Sequence, residues 1–201
     1  MIVPMATPLK EDYSIDREAV GRLVGLLVDA GASPFVAGTT GEAASLSAAQ
    51  KEVLVEETVR AVAGRSLVYA GISGNSLPES VEAARHFAGL GADVLVATVP
   101  SYYPLAVLRY FEDLAGACPV PLIIYNIPAT THYSIPLDVL DQLSHHPNIA
   151  GLKDSEQDRD RLDQALMRWR EREDFNHLTG WGALSLYALQ KGSDGIVPGT
   201  G

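Results

Sequence analysis

The sequence predicts an α/β protein of the (β/α)8 barrel (TIM barrel) type, incomplete at its C-terminus, and three observations carry that expectation. Eight short apolar runs, most of them rich in β-branched residues, recur at 2–6, 35–37, 67–70, 94–99, 122–125, 149–153, 177–179 and 195–197. Until a shorter last step, their starts fall roughly 27–33 residues apart, about one strand–helix unit per period. The segments between them have helical periodicity. Alternating strands and helices imply a parallel sheet, and eight such strands favour a closed barrel over an open doubly wound sheet.

In chain order, the first run precedes a helix whose Val20, Leu23, Val24 and Leu27 share one face. The second run leads to a helix with Val53, Leu54 and Val59 on one stripe, widened by Val55 and Val62. Ser47 with Gln50, and Ser76 with Glu79, have capping-box spacing and mark two helix starts. Gly31, Gly64, Gly91 and Gly192 stand where helices should stop. The open sheet is the structural alternative, but no dinucleotide fingerprint follows the first strand. Gly71-Ile72-Ser73-Gly74 has the wrong spacing, and no GxxxxGK[ST] loop occurs. After residues 195–197 the sequence holds no eighth helix, whereas such barrels run to about 250 residues. Residues 1–201 are therefore expected to be a single barrel domain, truncated at its C-terminus and lacking the last helix and the C-terminal helical region.

Composition narrows the function. The net charge is −10 and the 15 basic residues form no cluster, which argues against a nucleic-acid partner. No run reaches the length of a membrane span, and the N-terminus, broken by Pro4 and Pro8, is not a signal peptide. Cys118 is the only cysteine, so a disulfide framework is excluded and the cytoplasm is the expected compartment.

Chemistry concentrates at the ends of the strands, where barrels of this class build their sites. Lys153 closes the sixth run. A lysine there has its stem in the core, and loss of water disfavours its ammonium form, making the amine a nucleophile toward a carbonyl. The bland alternative is a lysine that snorkels to the surface or pairs with a carboxylate. Gly38-Thr39-Thr40-Gly41-Glu42 follows the second strand, with adjacent hydroxyls and free N–H groups suited to a carboxylate. A tight turn with a threonine cap explains that motif equally well. Tyr125 ends the fifth strand, where its phenol is placed to relay a proton; packing is its ordinary use. Ser101-Tyr102-Tyr103-Pro104 follows the fourth strand. Gly180 and Val197 offer little beyond backbone and leave room for a small ligand. The five histidines show no metal-ligand spacing apart from the adjacent His145-His146, so no metal and no cofactor are expected. Residues 156–161 read as the polar entry to a helix.

The motifs Gly38-Thr39-Thr40-Gly41-Glu42, Ser101-Tyr102-Tyr103-Pro104, Tyr125-Asn126-Ile127-Pro128 and Gly151-Leu152-Lys153-Asp154-Ser155, in this order, resemble those of the dihydrodipicolinate synthase / N-acetylneuraminate lyase family, across essentially the whole chain. The resemblance implies a class I mechanism in which Lys153 forms a Schiff base with pyruvate or another 2-oxo acid. It implies Thr39 and Thr40 as carboxylate holders and proton carriers, and Tyr125 as general acid/base. Tyr103 matches a family tyrosine that reaches into a neighbouring subunit's site, implying a homo-oligomer, a dimer or commonly a tetramer. Two positions depart from the synthase branch. Thr130, a substrate-binding candidate, stands where that branch has an arginine for the second substrate's carboxylate. Asp154 stands where it tends to have glutamate. Both departures point toward the branch acting on 2-keto-3-deoxy sugar acids. The alternatives are 4-hydroxy-tetrahydrodipicolinate synthase, a dehydratase of the same family, and a catalytically silent 2-oxo-acid-binding protein. Strand alternation sends Asp154 to the face opposite Lys153. Trp181 is expected to pack between helices more than to line the pocket.

Overall fold

In the computed structural model, which describes residues 1–100 and 106–199, all eight expected strands form and pair in chain order into one parallel sheet. They are β1 (Ile2–Pro4), β2 (Ser33–Val36), β3 (Tyr69–Gly71), β4 (Val94–Thr98), β5 (Leu122–Asn126), β6 (Ile149–Asp154), β7 (Asn176–Thr179) and β8 (Gly195–Ile196). The α-helices between them are α1 (Arg17–Asp29), α2 (Ala48–Val62), α3 (Leu77–Leu90), α4 (Val107–Ala117), α5 (Pro128–Thr131), α6 (Leu137–Leu143), α7 (Arg159–Trp169) and α8 (Ser185–Gln190). The sheet curls into a nearly closed TIM barrel. The pairings run from β1–β2 to β7–β8, and no β8–β1 ladder joins the ends among the described residues.

Two apolar layers hold it. The larger lies between sheet and helices and includes Val20, Val24, Leu54, Leu95, Phe111, Ile124, Leu140 and Leu152, each almost without solvent contact. The smaller fills the barrel interior with Ile2, Phe35, Val96, Ile123, Tyr125, Leu178 and Val197. The mouth of the barrel therefore sits on a packed floor, as expected for side chains that alternate in and out along each strand.

Local chemistry explains most element ends. Ser47 and Gln50 complete a reciprocal capping box at α2. At α3 only half of the expected box forms. Ser76 accepts from the Glu79 N–H, while the Glu79 carboxylate turns to the N–H of Asn75. Gly31, Gly64, Gly91 and Gly192 all adopt positive φ at or just after helix ends. The α2 stripe needs correction. Its buried face is Leu54, Val55, Thr58 and Val62, with Val53 and Val59 only partly covered. Thr58 joins the apolar face because its hydroxyl donates to the Leu54 carbonyl at 2.7 Å and so needs no water. Glu57 is buried too, held by Arg17 and Arg60. The short α5 begins at Pro128, two residues beyond the end of β5. Proline fits the first turn of a helix, where its missing N–H costs nothing.

Candidate active site

Strand pairing brings the two central side chains together. In the β5–β6 ladder Tyr125 stands opposite Lys153, and both point into the barrel. The Lys153 amine lies 3.8 Å from the centroid of the Tyr125 ring and 4.9 Å from that of Phe35. Lys153 is 4% exposed. Burial among these rings brings its pKa down from 10.5 to about 7, so a large share of the amine is neutral at neutral pH. An ordinary snorkelling lysine would keep its charge in water; this one does not reach it.

Tyr125 is also buried, which pushes its phenol pKa up. Hydrogen-bonding contacts with Ser155 and Thr39 act the other way. A phenol kept protonated and wired to two hydroxyls is suited to passing protons rather than to holding charge. Thr39 is exposed on the turn after β2 and lines an open cavity of about 390 Å³ at the mouth. It therefore connects solvent-side space to the buried pair.

The turn that carries Thr39 is shaped by the backbone. Ala37 adopts φ 53°, a left-handed conformation that turns the chain sharply off the end of β2. A Cβ at Gly71, on the neighbouring strand, would come within 2.1 Å of the Ala37 carbonyl oxygen. Gly38 is buried against the Phe35 ring, where a Cβ would sit at 2.8 Å. From the segment after β1, the Thr7 hydroxyl donates to the Gly41 carbonyl at 2.6 Å and pins the far end of the turn. Thr40 is exposed on the same turn.

The remaining candidates fall into two groups. Gly180 belongs to the buried centre: a Cβ there would strike Ser155 Oγ at 2.0 Å and approach Lys153 Cε at 3.2 Å. Val197 is buried in the interior cluster with Tyr125, its N–H donating to the Thr179 carbonyl. Thr130 is exposed on α5 and lines the mouth cavity together with Thr39, Ser73 and Thr98. Among the described residues, the only basic side chain lining that cavity is Lys51, against Glu42 and Glu79. Tyr103 lies outside the described residues.

Ser155 was missed as a functional residue by sequence reasoning, although a strand's period of two puts residues 153 and 155 on one face. Asp154 is on the opposite face, as alternation requires. It pairs with Arg161 at 3.0 Å and accepts from Asn126 at 2.8 Å. Residues 156–161 do lead into α7, but Glu156 and Arg161 turn back toward this acid instead of only facing water. Trp181 sits outside the barrel near Arg161 and Leu162, lining a cavity of about 10 Å³ with them. No group of three or more His, Cys, Asp or Glu side chains able to hold a metal occurs among the described residues.

Comparison with known proteins agrees along the whole chain. A model of the dihydrodipicolinate synthetase family matches residues 1–200. The chain is 35% identical over 200 residues to the 4-hydroxy-tetrahydrodipicolinate synthase of Laribacter hongkongensis, covering 98% of itself and 68% of that protein. It is 34% identical to an uncharacterized DapA-like lyase of Pyrococcus abyssi, with 98% and 68% covered. Among solved structures, dihydrodipicolinate synthase from Aquifex aeolicus superposes with a TM-score of 0.89 at 36% identity, covering 98% of this chain and 68% of that one. YagE of E. coli K12, solved in complex with pyruvate, superposes at 0.93 with 26% identity and the same coverage. The chain thus spans about two thirds of the length of these relatives.

Proposed function

Since the chain belongs to the dihydrodipicolinate synthetase family, whose members are lyases, we propose that it is a class I aldolase or lyase that captures a pyruvate-containing 2-oxo acid as a Schiff base on Lys153. The observation that carries this reading is the buried Lys153 amine with its pKa lowered to about 7, lying against a Tyr125 whose phenol contacts Thr39 and Ser155. The neutral amine attacks the keto carbon, water leaves, and the iminium that forms withdraws electrons from the adjacent bond. That bond breaks to an enamine, which a proton then quenches. Tyr125 serves as the acid and base for these transfers, and Thr39 carries protons between it and the mouth. Thr40 and the N–H groups around Gly38 hold the substrate carboxylate, with Gly180 and Val197 giving the pyruvate unit its space. Tyr103, which follows β4 in the sequence, completes the relay from a neighbouring subunit in a homodimer or homotetramer, as the family resemblance implies.

The distal part of the substrate is a hydroxylated chain, as in 2-keto-3-deoxy sugar acids. Thr39, Ser73, Thr98 and Thr130 line the mouth cavity with hydroxyls, and there Thr130 replaces the arginine of the synthase branch. A second reading, 4-hydroxy-tetrahydrodipicolinate synthase, is favoured by the names of several relatives. Without that arginine, the carboxylate of aspartate semialdehyde has no bidentate partner at Thr130. A cytoplasmic location is part of this proposal and rests on the single cysteine; no helix among the described residues is long and apolar enough to cross a membrane.

Borohydride reduction with pyruvate tests the central step. The expected result is a covalent adduct on the peptide carrying Lys153, with trapping that rises with pH through a midpoint near 7. A folded protein left unmodified at Lys153 overturns the reading. Pyruvate release from a panel of 2-oxo acids then separates cleavage from dehydration, which yields a new 2-oxo acid and no pyruvate, and from the synthase reaction.

A further inference from the structure

The β5–β6 ladder changes register shortly before it reaches the site. Leu122 pairs with Ile149, but Ile123 pairs with Gly151, so Ala150 is an extra residue. Beyond this bulge, which side chains face inward depends on the ladder holding its new register. A slip of one residue would swing Lys153 out of the barrel and turn Asp154 into it.

Directly above the Tyr125–Lys153 pair, the next cross-strand pair is Asn126 with Asp154. The outward faces of these strands are otherwise apolar, with Leu122, Ile124 and Leu152 in the outer core. Asn126 and Asp154 break that pattern, and every polar group on them is used. The Asn126 amide donates to Asp154 Oδ1 at 2.8 Å, and its carbonyl accepts from the Ile135 N–H at 3.1 Å. Arg161 of α7 donates to Asp154 Oδ2 at 3.0 Å and to the Ile135 carbonyl at 2.9 Å. The Glu156 N–H closes on Asp154 Oδ1 at 3.0 Å. Asn126 is 1% exposed and Asp154 6%. A buried ion pair of this sort contributes little net stability compared with apolar side chains of the same volume, and its best-attested use is to specify register.

We propose that Asn126, Asp154 and Arg161 are positioning residues that lock the register of β5 against β6 and thereby hold the Lys153 amine on the face of Tyr125. The assignment of a reaction to that amine rests on the Schiff-base reading above; the positioning itself does not. The three residues touch no reacting atom and act through the strands whose inward faces carry the chemistry.

Asn126→Leu in the full chain tests this with every charge left in place. The first readout is the pH dependence of Lys153 acetylation by acetic anhydride, which needs no substrate. The expected result is a midpoint raised from near 7 by about one pH unit or more, as the amine moves toward water. The second is reductive trapping with pyruvate, expected to slow at least ~10-fold at saturation with a smaller change in half-saturating pyruvate. A cooperatively folded Asn126→Leu protein with the parent's labelling midpoint and trapping rate overturns the proposal. Should that variant not fold, Arg161→Lys, which keeps the charge and loses the paired donors, is read by the same two measurements with the same meanings. If the parent itself traps no pyruvate, the Schiff-base reading fails, and the labelling midpoints alone decide the positioning role.

Discussion

The two sides of the barrel are built differently. On one side β5 and β6 have five and six residues, a ladder of five pairs interrupted once by a bulge, and burial at almost every position. On the other, β8 has only two residues, both half-buried, and β1 only three, all buried, and no ladder connects them among the described residues. The candidate nucleophile and its acid/base partner sit on the first side. The second contributes mainly the space around Val197. Groups that must be held to within a fraction of an ångström need rigid, over-determined support, whereas groups that merely leave room do not. The barrel distributes its regular structure accordingly.

The sharpest test of this division is Lys153→Met. Pyruvate trapping should vanish, while stability at neutral pH should rise. The sign follows from the folded-state pKa of about 7, below the unfolded value of 10.5. Between these values the unfolded chain binds the extra proton, so the parent's stability increases as pH climbs from 7 to 10.5. Methionine at this site removes that dependence. In urea titrations the variant should exceed the parent by on the order of 4–5 kcal/mol near pH 7, with the gap closing toward pH 10.5. A variant no more stable than the parent at pH 7 would mean that the lysine is not desolvated.

The next largest effect compares the two sides directly. Leu152→Ala, in the fully covered outer face of β6, should cost about 2–5 kcal/mol. Ile196→Ala, in half-buried β8, should cost about 1 kcal/mol, because much of its surface is already wet. Equal losses would erase the distinction between the sides. Tyr125→Phe should leave trapping detectable and slow turnover ~10²–10⁴-fold, the range for loss of a general acid/base. Smallest is Thr130→Val at the mouth, expected to raise KM for the preferred 2-oxo acid several-fold with kcat nearly unchanged, seen in steady-state kinetics.

Strand positions were legible in the sequence because each is an apolar run flanked by turn residues, and the ladder moved their ends by only one or two positions. The parallel order follows from the alternation with helices. The α2 face was misjudged because Thr58 reads as polar, and its bond back to Leu54 exists only once the helix has formed. Lys153, Tyr125 and Thr39 were legible as separate strand-end residues. Their union depends on the register Tyr125↔Lys153, which in turn depends on a bulge with no signature in the sequence. Ser155 was legible by strand period alone and passed over because the strand was taken to end at Lys153. The Asn126–Asp154–Arg161 bridge was not legible. It joins β5, β6 and α7, and in the sequence Arg161 belongs to an ordinary charged helix entry.

The close approach of Gly71 to Ala37 has a practical consequence for redesign. The seat beneath Thr39 and Thr40 is made of main chain, with less than a methyl group's clearance between adjacent strands. Saturation libraries aimed at the rim, at Thr130 or Ser73, can exchange the far end of the accepted molecule. They leave the near end untouched, because the turn that carries Thr39 and Thr40 is set by the backbone at Gly38 and Gly71, where a Cβ has no room. Evolvability in this barrel is thus confined to one pole of the ligand.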